Sequence, residues 1–137
     1  MTRQASVLVA DDWTTTLSGK ITIQGIYGTD LYIPADPFFA NQLVFVFITE
    51  TAPDDPFEKL ELYVQMPGGD SRHLPINLSR LVQGLADQRR WCLKHPLLFT
   101  NPILRPGIIE AKVIHEKGEI STAAPYVTLR EPKPQTT

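Results

Sequence analysis

The sequence predicts an all-β fold, an antiparallel β-sandwich of about seven to nine short strands, and three observations carry that expectation. Apolar and polar residues alternate with a period of two, most cleanly where Leu60, Leu62, Val64 and Met66 face away from Lys59, Glu61, Tyr63 and Gln65. Twelve prolines sit between the apolar runs more than within them, which suits short strands separated by turns. One run, Leu43-Val44-Phe45-Val46-Phe47-Ile48, is apolar on both faces, too short for a typical helix, and made of β-branched and aromatic residues. It marks the centre of a sheet. A parallel sheet would need repeated crossover helices, for which the spacing leaves no room. A closed barrel is the alternative architecture, because spacing alone does not decide whether two sheets stay apart.

Taken in order, Ala5 to Ala10 reads as a strand ending at Asp11-Asp12, and Lys20 to Tyr27 as its hairpin partner, with Ile21, Ile23 and Tyr27 on one face. Gly25 interrupts the second strand, which marks a bulge or the close approach of another backbone. The stretch from Asp30 to Asn41 holds Pro34 and Pro37, each without an N–H donor, and is expected to be a crossing loop anchored by Phe38 and Phe39. After the central strand and its neighbour Phe57 to Met66, Arg72 to Leu78 carries Pro75 and reads as an edge strand. Leu78, Leu81, Val82 and Leu85 then recur at helical spacing behind Ser79, so one short helix near 79–88 is as consistent with the pattern as a loop. Gly84 weakens that helix by about 1 kcal/mol relative to alanine, so it would form only when packed on a sheet. Leu97 to Leu104 is a strand cut by Pro102. Ile108 to His115 points Ile109, Ala111 and Val113 inward, Glu116 to Glu119 closes a hairpin, and Tyr126 to Leu129 finishes the sheet.

A chain of 137 residues, 42% apolar and 20% charged, fits one domain with one core, placed here at 1–130 with a polar, proline-bearing tail at 131–137. Cys92 is the single cysteine, so packing rather than an internal disulfide must hold the core, and a cytoplasmic setting is expected. The apolar run after Met1-Thr2-Arg3-Gln4 is far too short for an export signal. No window approaches the roughly 20 apolar residues of a membrane helix, so no membrane partner is expected.

At Ala10-Asp11-Asp12, Gly19-Lys20-Ile21, Gly25-Ile26-Tyr27-Gly28 and Asp30, followed by Ile33-Pro34 and Pro37, the chain resembles a bacterial family of domains of unknown function. Its members read as A-D, a short loop, G-K-[apolar]-x-[apolar]-x-G-[IV]-[FY], then a polar turn and a proline. The resemblance covers the first fifty residues or so and continues beyond them only in rhythm. It implies an immunoglobulin-like sandwich in a bacterial or phage setting, and it implies no activity.

Two carboxylate pairs stand out, Asp11-Asp12 and Asp54-Asp55. Aspartates gathered from several end loops can supply the six to eight oxygens a calcium ion takes, so Asp11, Asp12 and Asp30 form a candidate end-loop cluster for calcium or carbohydrate. The simpler reading is that aspartate suits strand ends, where its oxygen bonds nearby backbone donors. His73, His95 and His115 have no short metal-ligand spacing among themselves or with Cys92, and no nucleophile elbow, phosphate loop or dinucleotide fingerprint occurs. Neither a cofactor nor an enzymatic activity is therefore expected.

Charge is distributed unevenly although the net is only −2. Gly28 to Ser71 holds eight acidic residues and one basic, and Arg72 to Pro106 six basic and one acidic. Arg80, Arg89, Arg90 and Lys94 surround Trp91 and form a candidate interaction surface, since arginine beside an aromatic can grip phosphate and stack on a base. A solvated charged face with Trp91 buried accounts for the same residues, and nucleic acid is not the expected partner. Acidic and basic faces of neighbouring copies could pair instead, and the strand from Leu43 to Ile48 needs a cover on its outer side, either the 79–88 segment or another subunit. The sequence thus points to a binding or structural module with an unknown protein partner or a second copy of itself, in a phage-like or multi-protein assembly.

Overall fold

The computed structural model describes residues 3–78 and 91–130, and among them every regular element is a strand. One four-stranded antiparallel sheet has the order β2 (Ile21–Ile26), β1 (Gln4–Thr15), β5 (Gln42–Thr51), β8 (Trp91–Thr100). A second has the order β12 (Gly118–Thr122), β11 (Glu110–His115), β6 (Leu60–Gln65), β7 (Ser71–Pro75). Two smaller pieces complete the fold: a three-stranded sheet of β10 (Gly107–Ile108), β13 (Tyr126–Leu129) and β3 (Asp30–Ile33), and a ribbon of β4 (Phe38–Phe39) and β9 (Ile103–Leu104). All four orders are linear, so no barrel closes and the fold is an all-β sandwich.

Period-two alternation builds the interior. Val9, Leu43, Phe45, Phe47 and Leu97 from the first large sheet meet Leu60, Leu62, Val64 and Val113 from the second in one buried cluster. Phe45 and Phe99 pack edge to face, 5.4 Å between centroids at 64°. Each fully buried side chain of this size contributes about 1.5–3 kcal/mol. The central run behaves as its composition requires: β5 lies between β1 and β8, and its outward residues Val44 and Val46 are buried at 2% and 0% exposure within the single chain. Register sets Val46 between Leu8 and Pro96, and Val44 between Ala10 and Leu98, so neighbours on the same sheet flank both. The 79–88 segment expected as helix or cover lies outside the described residues, as does the 131–137 tail.

Several boundaries differ from the sequence expectation. β1 does not stop at Asp11-Asp12 but runs to Thr15, because Asp12 to Thr15 find ladder partners on β2 after β1 has left β5. The Asp30 to Asn41 stretch is not simply a loop: Leu31 and Ile33 alternate inward and form β3, while Pro34 and Pro37 fall just outside the strands. β3 pairs with β13 in parallel, the one parallel pair among the described strands. β8 begins at Trp91, well before Leu97, and tolerates Pro96 because it is the last strand of its sheet.

Arg3, which the sequence pattern did not single out, ties the sandwich together at one end. Its side chain is 6% exposed and donates to Glu116 through Nη1 and Nη2 at 2.8 Å each, and to Asp55 at 3.1 and 3.2 Å. It also donates to the Pro56 carbonyl at 2.8 Å and lies 4.8 Å over the Phe57 ring. The strand that opens the first large sheet is thereby fastened to the hairpin turn of the second. Arg3 holds the Glu116 carboxyl down at about 2, helped by the Glu58 and Lys59 backbone N–H groups.

Candidate functional site

The β1–β2 hairpin is the feature that leaves the body. β1 pairs with β5 only as far as Ala10 opposite Val44, and beyond that point it pairs with β2 alone. Among the described residues β2 packs mainly on β1. Residues directly opposite in an antiparallel pair share a face. Trp13 opposite Ile23 and Thr15 opposite Ile21 therefore make one face, while Asp12 opposite Gln24 and Thr14 opposite Thr22 make the other. On the first face Trp13, Ile21 and Ile23 are half-buried and Thr15 is exposed; the second is polar, with Asp12 half-buried and Thr14, Thr22 and Gln24 exposed.

The tip of this ribbon is tightly bonded. Thr16 N–H donates to the Lys20 carbonyl at 2.8 Å, Gly19 N–H to the Thr16 carbonyl at 3.0 Å, and Lys20 N–H to Thr16 Oγ1 at 3.1 Å. Gly19 sits at φ 83°, a left-handed conformation that favours glycine. Leu17 at the tip is fully exposed.

At the base of the ribbon lies a concavity of about 440 Å³ lined by Asp11, Asp12, Tyr27, Phe38, Phe39 and Gln42, among others. The Tyr27 hydroxyl donates to Asp11, and Gln42 Nε2 donates to both the Asp11 carbonyl and Asp12 Oδ1 at 3.0 Å. Asp12 Oδ1 also accepts from Trp13 N–H at 2.8 Å, a local side-chain bond made within the strand. Burial first, and the Asp11 carboxylate second, push the Tyr27 phenol up to about 12. Gly25 at φ 70° lies against Asp11 so closely that a Cβ there would collide with the carboxylate. Phe39 stands 65% exposed at the rim. Acids, an amide and a phenol held by neutral partners beside an exposed ring can hydrogen-bond and stack on a ligand. A second concavity of about 460 Å³ is lined by Gly28, Thr29, Ile108, Ile109, Tyr126 and the 122–125 stretch. Ile108 and Tyr126 there are 70% and 54% exposed.

Asp30 does not join Asp11 and Asp12. It is held in the three-stranded sheet, where Thr128 Oγ1 donates to it at 2.8 Å. Among the described residues no three His, Cys, Asp or Glu side chains converge on a point where a metal could sit. Of the candidate basic surface, Arg80, Arg89 and Arg90 lie outside the described residues. Trp91 opens β8 opposite Thr51, and Lys94 is exposed on the same strand with Nζ 3.7 Å from Cys92 Sγ. The three histidines are dispersed. His73 pairs with Glu61 at 3.1 Å, His115 Nδ1 lies 2.9 Å from Arg3, and His95 is buried with Nε2 unpartnered.

The chain matches no known family model, curated protein or solved structure. The family resemblance carried by residues 10–37 therefore stands on those residues alone. The sequence reading missed the ribbon because it ended the first strand at two aspartates. Thr14 and Thr15, with the β propensity of threonine, were the signal that the strand continues.

Proposed function

We propose that this chain is a non-enzymatic binding or structural module, working in a bacterial or phage-like multi-protein assembly, that engages a protein partner through the β1–β2 ribbon. The supporting observation is the ribbon itself: it carries Trp13, Ile21 and Ile23 on one face and a fully exposed Leu17 at a hydrogen-bonded tip, beyond the sheet contacts that stabilise the body. Large apolar side chains displayed on an ordered, preformed element lose little conformational freedom on binding. Affinity capture from the source organism with the wild-type chain and with Leu17→Arg tests this. The reading expects proteins captured by the wild type to be lost from the variant, and identical captured sets would contradict it.

A second reading, a carbohydrate-binding sandwich, is favoured by the exposed Phe39 ring beside Asp11, Asp12 and Gln42. The calcium form of that reading has less support, because Asp30 is bonded within another sheet. Calorimetric titration with oligosaccharides and with calcium decides it, and the absence of heat in both would remove it.

A further inference from the structure

The three-stranded sheet turns one side to the core and leaves the other bare. Leu31 and Ile33 of β3 and Val127 of β13 are buried on the inner side. Register gathers the alternate residues on the outer side: Ile108 opposite Tyr126, Tyr126 opposite Asp30, and Thr128 opposite Tyr32. Thr128 Oγ1 donates to Asp30 at 2.8 Å across the two strands, which confirms that these side chains share a face. Tyr32, Tyr126 and Ile108 are 51%, 54% and 70% exposed there. Arg130 extends the row, its guanidinium 5.1 Å over the Tyr32 ring. We propose that this face docks a proline-rich segment of a partner protein, held as a polyproline II helix. The surface is separate from the β1–β2 ribbon, and the proposal does not depend on it.

Spacing, hydrogen-bonding sign and charge all match that occupant. Strands about 4.8 Å apart, rising about 3.3 Å per residue, set the Tyr126 and Tyr32 backbones about 8 Å apart on the diagonal. A polyproline II helix advances about 9 Å per turn of three residues, so prolines three apart fall on successive rings. Among the described residues, the Tyr32 and Tyr126 hydroxyls and the Arg130 guanidinium have no hydrogen-bond partner within the chain. The face therefore offers unused donors beside aromatic rings. A polyproline II chain is the reverse: its carbonyls make no internal hydrogen bonds, and its prolines have no N–H to satisfy. Asp30 stands beside the rings and Arg130 at the end of the row, so the face carries no net charge and gives a polyanion nothing to gather on. A preformed extended helix also loses little entropy when it docks on aromatic side chains. Beside Tyr126, the concavity of about 460 Å³ lined by Ile108, Ile109 and Pro125 receives an apolar side chain from the end of the segment.

Titration of the full chain with synthetic decaproline, followed by calorimetry and by amide shifts in NMR spectra, tests the proposal. It predicts saturable binding, with the largest shifts at residues 30–32, 108 and 126–130. Tyr32→Ala and Tyr126→Ala should each weaken binding about tenfold or more, as the loss of an aromatic anchor does. Tyr126→Phe keeps the ring and removes the donor, and should weaken it about threefold. Both tyrosines are half exposed, so thermal midpoints of these variants should stay near wild type. No saturable binding at millimolar decaproline, or binding that both alanine variants leave unchanged, overturns the proposal. Preferential binding of oligothymidylate or of cellohexaose at the same residues also overturns it, by assigning the face to nucleic acid or to a glycan. Leu17→Arg should leave decaproline binding unaltered, and a loss there would place the segment on the ribbon instead of this face.

Discussion

The sandwich body and the β1–β2 ribbon are made of the same β-branched and aromatic residue types and use them differently. In the body, alternate residues of β5 and β6 are buried almost completely against a facing sheet. In the ribbon, Trp13, Ile21 and Ile23 are only half-buried, with cross-strand neighbours in place of a second layer. An isolated two-stranded hairpin is marginal in water, so the ribbon depends on its continuity with β1 and on the bonds at its tip. The difference shows where stability resides and where surface is left for a partner.

The comparison can be broken at the body first. Phe45→Ala should cost about 3–5 kcal/mol, from lost transfer and a cavity that the packed sheets cannot close, read as a lower denaturant midpoint. A loss under 1 kcal/mol would mean the core is not as tight as drawn.

Acid should weaken the body next. Burial pushes the His95 imidazole down to about 4 from an ordinary 6.5, and its Nε2 has no hydrogen-bond partner. The unfolded chain therefore takes up this proton first, and stability present above about pH 6.5 is lost as pH falls toward 4, by up to about 3 kcal/mol. The Glu116 carboxyl, held at about 2, adds a further loss as pH falls below its ordinary 4.5. His95→Phe should flatten the upper part of the denaturation profile and leave the lower part unchanged, and an unaltered profile would acquit His95.

Arg3→Ala comes third, at about 2 kcal/mol. The guanidinium is nearly buried, but Glu116 and Asp55 keep 20% and 35% of their side-chain exposure, so water replaces part of what is lost. Arg3→Lys should recover only a fraction, since an ammonium cannot present the fork that meets two carboxylates and a carbonyl together. Smallest is Leu17→Ala, within about 0.5 kcal/mol of wild type in stability. A larger loss would show that the tip packs on the body.

Alternation over residues 57–66 and 108–115, the two-sided run at β5 and the proline punctuation were enough to read an all-β sandwich, but not which strands share a sheet: β6 lies in the sheet that faces β5, and Ile108 and Tyr126–Leu129 leave the β11–β12 hairpin for the three-stranded sheet. Those signals are local, because every second residue meets the core. What sequence could not supply was pairing between distant segments. β3 adjoins β13 in parallel across nearly a hundred residues, and Arg3 reaches Asp55 and Glu116 from the other end of the chain. The aspartates show the same limit at the candidate site. Asp11 and Asp12 stay together as sequence neighbours must, while Asp30 follows its strand into a different sheet. Gly25 was expected to mark a bulge or the close approach of another backbone, and what lies against it is the Asp11 side chain.

The division between body and ribbon is tested most directly by cutting one from the other. Replacing residues 14–22 with Asn-Gly leaves Trp13 opposite Ile23 and closes the strands with a two-residue turn suited to them. Guanidinium unfolding of this shortened chain should give a stability within about 1 kcal/mol of wild type. Collapse of the cooperative transition would contradict the account, because it would place the ribbon inside the structure that holds the sandwich together.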